Sequence, residues 1–120
     1  MPNILYVEDD AVVSLMVKET LEAEGWHVEC CANGLLGLSK IDGGEHYDLL
    51  LLDNELPGVS GLELTRRARV LSHRKETPVV MFSASEYGRE ARAAGANVFL
   101  NKPEGIKTLA ETVRRLLEEK

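Results

Sequence analysis

Glu8, Asp9 and Asp53 are carboxylates, Ser83 is a hydroxyl and Lys102 a cation, and they stand just past short apolar runs of the chain. Brought to one place, three carboxylates repel one another unless a cation or a proton intervenes. A hard divalent ion is the natural partner. Oxygen ligands with no His or Cys among them select Mg²⁺, or Mn²⁺ in its place, and Mg²⁺ takes only one or two carboxylates and keeps positions open. Those positions suit phosphoryl oxygens, and a Lys and a hydroxyl are the groups that neutralise and hydrogen-bond the rest of a transferring phosphoryl group. Asp53 is then the candidate nucleophile, forming an aspartyl phosphate.

Taken singly, none of these residues is specific. Asp10 reads as a helix N-cap, and Glu8 and Asp9 alone would read the same way. Asp53 alone could be a loop acid ahead of Pro57-Gly58, Ser83 and Ser85 could cap the next helix, and Lys102 alone would be a solvated charge. The weight lies in the elements that bring them together.

Five apolar runs supply those elements: Ile4 to Val7, His27 to Cys31, Asp48 to Leu52, Pro78 to Phe82 and Asn97 to Leu100. They alternate with amphipathic stretches, the pattern of a parallel sheet with helices packed on it. The four leucines Leu49 to Leu52 show no alternation, as expected of a central strand buried on both faces. Val12, Val13, Met16, Val17, Thr20 and Leu21 mark the first helix, with Asp10 as its cap and Gly25 as its stop. Asn33-Gly34 opens a second helix that ends near Ile41, Ser60 caps a third through Leu71, and Ile106, Leu109, Val113, Leu116 and Leu117 line the last. The fourth crossover is short and contains Gly88, which costs about 1 kcal/mol in a helix relative to Ala, so a helix of two turns is expected there and frayed. Right-handed crossovers put every strand's carboxyl end on one edge, where open α/β sheets bind ligands. Four of the five strands deliver a reactive residue to that edge.

With 120 residues, 44% hydrophobic and 28% charged, the chain is sized for one compact domain, residues 1–120, and is too apolar for disorder. Acids from Glu8 onward and apolar runs no longer than four exclude a secretion signal and a membrane span, so a cytoplasmic location is expected. The balance of 20 acids against 14 Lys and Arg, with one basic cluster at Arg66, Arg67, Arg69, Arg74 and Lys75, argues against direct nucleic-acid binding. Adjacent Cys30 and Cys31 suit neither a disulfide nor a zinc site and read as strand packing.

Four segments in order, Ile4-Leu-Tyr-Val-Glu-Asp-Asp, Leu51-Leu-Asp-Asn-Glu-Leu-Pro-Gly-Val-Ser-Gly-Leu-Glu-Leu, Ser83-Ala84 and Ala94-Gly-Ala-Asn-Val-Phe-Leu-Asn-Lys-Pro, resemble the receiver domain of bacterial two-component response regulators. The resemblance covers the whole chain. It implies a flavodoxin-like (βα)5 fold with strand order 2-1-3-4-5 and helices on both faces, the order that receivers themselves exemplify. It would make Asp53 the phosphoacceptor, fed by a histidine kinase or a histidine phosphotransfer protein. Glu8, Asp9, Asp53 and the backbone carbonyl of Glu55 would hold Mg²⁺. Ser83 and Lys102 would bond the phosphoryl group, Phe99 would change rotamer with Ser83, and the Lys102-Pro103 bond would be cis. The implied protein is a signalling switch, not an enzyme, acting on an unknown downstream protein as a monomer or weak dimer.

Three features depart from the family pattern, one being that Phe99 lacks the hydroxyl of the Tyr often found there, so that its switch relies on burial alone. The fourth crossover is about three residues shorter, and Glu55 stands where its side chain can approach the phosphoryl group or reach Lys102. An aspartate-nucleophile phosphohydrolase is the enzyme alternative, but its metal acids should come late in the chain. A flavin binder lacks its phosphate loop here. A receiver that acts by binding alone remains the third reading.

Overall fold

The computed structural model describes residues 1–102 and 105–119. Five strands, β1 (Asn3–Val7), β2 (His27–Cys31), β3 (Leu49–Leu52), β4 (Val79–Ser83) and β5 (Val98–Asn101), alternate with five helices, α1 (Ala11–Glu22), α2 (Gly34–Asp42), α3 (Gly61–Val70), α4 (Gly88–Ala94) and α5 (Ile106–Glu118). The strands form one parallel sheet in the order β2-β1-β3-β4-β5. Each strand lies within a residue or so of its apolar run, and the fold is the doubly wound one that the sequence implies.

Strand alternation divides the core in two. Leu5, Val7, Leu50, Leu52, Val79 and Met81 face Ile41 of α2, Leu64 and Ala68 of α3 and Ala91 of α4. Ile4, Tyr6, Leu49, Leu51, Val80 and Phe82 face Val17 and Leu21 of α1 and Leu109 and Val113 of α5. Leu49 to Leu52 are fully buried, so β3 is central. Burying each such leucine contributes roughly 1.5–3 kcal/mol.

Most caps stand where the sequence puts them. The Asp10 carboxylate accepts the N–H groups of Val12 and Val13, Asn33 accepts that of Leu36, and Ser60 forms a full capping box with Glu63. The face of α1 is a correction. Val17 and Leu21 are buried, whereas Val12 and Met16 are exposed together with Leu15. Apolar residues surround most of α1, so periodicity cannot tell which stripe meets the sheet. Cys31 is buried as strand packing requires, but Cys30 is exposed. Gly88 begins α4 and does not lie inside it, and Tyr87 ahead of it makes no side-chain cap bond.

Candidate functional site

β1 and β3 are adjacent, with Val7 opposite Leu52, so the residues that follow them emerge side by side. Glu8 and Asp53 are buried there and Asp9 is exposed. One carboxylate oxygen from each lies within 4.8 Å of the others. This set fits a hard divalent cation: all donors are oxygen, and two carboxylates are buried side by side with a third exposed next to them.

The loop after β3 is held to shape by its sequence. Gly58 takes φ +87°, a left-handed turn position that favours glycine. A Cβ on Gly61 would stand 2.3 Å from the Asp53 carbonyl oxygen, so only glycine lets α3 start this close to the acceptor backbone. The Asn54 side chain accepts the Leu62 N–H at 3.0 Å, fastening loop to helix. The Glu55 N–H donates to Asp53 Oδ1 at 3.4 Å.

Lys102 enters from the far end of β5. Its N–H donates to the Ser83 carbonyl at 2.9 Å, which ties the ends of β5 and β4 together. Its Nζ lies 2.5 Å from Glu8 Oε1 and 3.6 Å from Asp53 Oδ2. It also lies over the Phe82 ring, 5.3 Å from the centroid. Burial pushes the Asp53 carboxyl up to about 6, the Glu8 charge adds to the rise, and Lys102 opposes it. A carboxylate so crowded is short of positive charge.

The structure therefore brings together Glu8, Asp9, Asp53 and Lys102. Ser83, fully buried, sits at the end of the neighbouring strand. Glu55 turns toward the acceptor side of the site, where its charge adds to the rise at Asp53, and not toward Lys102. Its carboxylate accepts the Ser83 hydroxyl at 2.9 Å and the Ser85 hydroxyl, while Lys102 is engaged by Glu8 and Asp53. Neither serine caps α4. Phe99, on β5 opposite Met81, is half-buried and lines a recess of about 600 Å³ with Gly88, Arg89 and Asn101. Pro103, with the cis bond expected before it, lies outside the described residues.

Two contributors were missed in the sequence. Tyr6 donates its hydroxyl to Glu8 Oε1 at 3.2 Å, with its own pKa driven far up by burial and the Glu8 charge. Its signal was a phenol in an aliphatic strand, two residues before Glu8 and hence on the same side. Ser85, treated only as a cap, had the matching signal of standing two residues past Ser83.

Beside this cluster, Glu8, Asp9, Ala11, Leu15, Cys30 and Ala32 help to line a largely apolar cleft of about 330 Å³ between α1 and the end of β2. Among the described residues, no helix is long and apolar enough to cross a membrane.

The chain matches the response regulator receiver domain model over residues 4–114. It is 36% identical over 121 residues to the phosphate regulon transcriptional regulatory protein PhoB of Rhizobium meliloti, covering 98% of this chain and 52% of that protein. The chain thus spans about half the length of the curated relatives that it matches first. A CheY-like response regulator receiver domain protein from Methanospirillum hungatei superposes with a TM-score of 0.90 at 33% identity, over 99% of this chain and 95% of that one. The receiver domain of sensor histidine kinase PA1611 from Pseudomonas aeruginosa, solved with a magnesium ion coordinated in its active site cleft, gives 0.88 at 26% identity over 98% of each chain. Sequence relatives and folds agree along nearly all 120 residues, and the chain belongs to the receiver domain family of two-component response regulators.

Proposed function

We infer that residues 1–120 act as one receiver domain that accepts a phosphoryl group on Asp53 and changes its surface in response. The observation that carries this reading is Lys102, which reaches from β5 to Glu8 and Asp53 beside three clustered carboxylates. The donor is a phosphohistidine on a histidine kinase or a histidine phosphotransfer protein. An Asp53 oxygen attacks phosphorus, the P–N bond breaks, and the histidine nitrogen leaves with the electron pair. Water later hydrolyses the acyl phosphate and restores the carboxylate.

Glu8, Asp9, Asp53 and the backbone carbonyl of Glu55 would hold Mg²⁺, or Mn²⁺ with the same oxygen ligands, and the ion would neutralise carboxylates and phosphoryl oxygens alike. Tyr6 and the Asp10 N–H, which donates to Glu8 Oε2 at 3.2 Å, keep Glu8 aimed inward. Lys102 balances charge on the phosphoryl oxygens, and the Ser83 hydroxyl donates to one of them. A phosphoryl group adds roughly -1.5 to -2 charges, enough to redraw these contacts. The movement of Ser83 is passed to Phe99 through the β4–β5 pairing and alters the α4–β5 face, where a downstream protein binds.

The exposed stripe Val12, Leu15 and Met16 gives the donor protein an apolar surface to cover, since Leu15 lines the same cleft as Asp9. A cytoplasmic protein, monomeric or weakly dimeric, with no turnover of outside substrates and no direct contact with nucleic acid or membrane, completes the reading.

Acetyl phosphate with Mg²⁺, followed by intact mass, tests it. The wild type should gain one phosphoryl group and Asp53→Asn none; no gain in either would end the reading. Sustained turnover of p-nitrophenyl phosphate would favour the phosphohydrolase instead.

A further inference from the structure

Glu55 links the loop after β3 to the end of β4. Its Oε1 accepts the Ser83 hydroxyl at 2.9 Å and its Oε2 accepts the Ser85 hydroxyl. The Ser85 N–H in turn donates to Ser83 Oγ at 3.4 Å. Ser83 is fully buried, and these are the partners of its side chain among the described residues.

A serine hydroxyl has one proton to donate. Donated to Glu55, that proton is not available to a phosphoryl group on Asp53, which is an acceptor only. The two acceptors are both anionic and lie on the same loop, two residues apart, so they compete for one donor and repel each other once both are charged.

We propose that Glu55 is a latch that holds the unphosphorylated conformation by keeping the Ser83 hydroxyl from the phosphoryl group on Asp53. This rests on the acceptor reading of Asp53 given above. Ser85 is the second arm of the latch: by binding the other carboxylate oxygen it fixes the direction of the first. Phosphorylation releases both serines together. Because α4 begins at Gly88, three residues past Ser85, release loosens the start of that helix from the β3 loop. Glu55 is a positioning residue, acting through Ser83.

Beryllofluoride with Mg²⁺, a tetrahedral mimic of the phosphoryl group, is titrated into the wild type, Glu55→Ala, Glu55→Gln, Ser83→Ala and the Glu55→Ala/Ser83→Ala pair. Glu55→Ala should bind it about tenfold more tightly, the low end of what a hydrogen bond to a charged acceptor contributes. Glu55→Gln, which keeps a weaker acceptor without the charge, should gain less than Glu55→Ala. In the Ser83→Ala background the Glu55→Ala gain should shrink to the smaller part that relief of charge repulsion alone gives. An equal gain with and without Ser83, or equal gains for Gln and Ala, would mean that Glu55 acts only as a negative charge, and the latch would be wrong. No gain in any variant would also overturn it. Glu55 is exposed, so its variants should fold, and the comparison of Gln with Ala decides the matter even if Ser83→Ala does not. Wild-type binding that Asp53→Asn abolishes would show the acceptor site intact whatever becomes of the latch; absence of wild-type binding would remove both.

Discussion

The segment after β3 and the segment after β4 lie side by side at the same edge of the sheet, but they are fastened very differently. The first is braced throughout. Ser60 and Glu63 form a capping box, Asn54 bonds the first turn of α3, and the Thr65 hydroxyl donates to the Gly61 carbonyl at 2.8 Å. The second is held at its start by the Ser83 and Ser85 hydroxyls on Glu55 and firmly at its far end. There Gly95 takes φ +113° and Arg69 donates to its carbonyl at 2.9 Å, whereas the start of α4 has no side-chain cap. A seven-residue helix without a cap is marginal by itself. The acceptor thus rides on a stiff platform, and the part that must respond is tied to it near the acceptor by the hydroxyls of Ser83 and Ser85 on Glu55, bonds that a rival acceptor can displace.

The sharpest way to break the platform is Gly61→Ala. The added Cβ would meet the Asp53 carbonyl oxygen at 2.3 Å and the Asn54 Cα at 2.9 Å, both backbone atoms that cannot swing aside. Stability should fall by about 3 kcal/mol in urea unfolding, and phosphorylation by acetyl phosphate should slow because Asp53 shifts. A loss below about 1 kcal/mol would show the platform to be softer than its bonding suggests.

Next in size is the strain that the acceptor itself imposes. The Asp53 carboxyl sits at about 6 in the fold against 3.8 ordinarily. Below 3.8 it is neutral folded or unfolded and costs nothing. As pH rises from 3.8 to about 6 the unfolded chain gives up its proton first, so stability is lost through that window and stays lost above it. Asp53→Asn should therefore stabilise the metal-free protein by on the order of 3 kcal/mol at pH 8 and by almost nothing at pH 4. Thermal unfolding at the two pH values measures this. Saturating Mg²⁺ should narrow the gap at pH 8, since it offsets the charge in the wild type alone.

Ser60→Ala is a smaller test of the same contrast, since it removes a cap that α3 has and α4 lacks. It should cost about 1 kcal/mol in denaturant unfolding and leave the beryllofluoride affinity unchanged. A cost near zero would mean that Asn54 alone suffices to begin α3.

What the sequence displayed and what it hid follow the same division. The strands were legible because each is an apolar run between turn residues, and the caps because Asp10, Asn33 and Ser60 stand directly before helical periodicity. Glu8, Asp9, Asp53 and Lys102 could be gathered because the topology rule sends every strand to one edge. The outward stripe of α1 was not legible, since Val12, Leu15 and Met16 are as apolar as the residues that it buries. The destination of Glu55 was hidden for another reason. It depends on the relative height of two loops from different crossovers, and nothing local to residues 53–60 encodes where Ser83 and Ser85 will stand.

The smallest expected effect is the most telling about α4. Gly88→Ala adds a Cβ that would lie 3.6 Å from the Phe99 ring, an ordinary contact, at a helical position whose φ is not left-handed. The same substitution that breaks α3 at Gly61 should therefore strengthen α4, by about 0.5 kcal/mol, chiefly by restricting the unfolded chain. Amide exchange reads it segment by segment: in the wild type, residues 86–94 should exchange faster than residues 61–70, and Gly88→Ala should slow the former and leave the latter alone. If α4 were already as well protected as α3, the two segments would not differ in the way that their caps imply. The near-balance of α4, on which its response to the acceptor depends, would then have to be sought in β5 and Phe99.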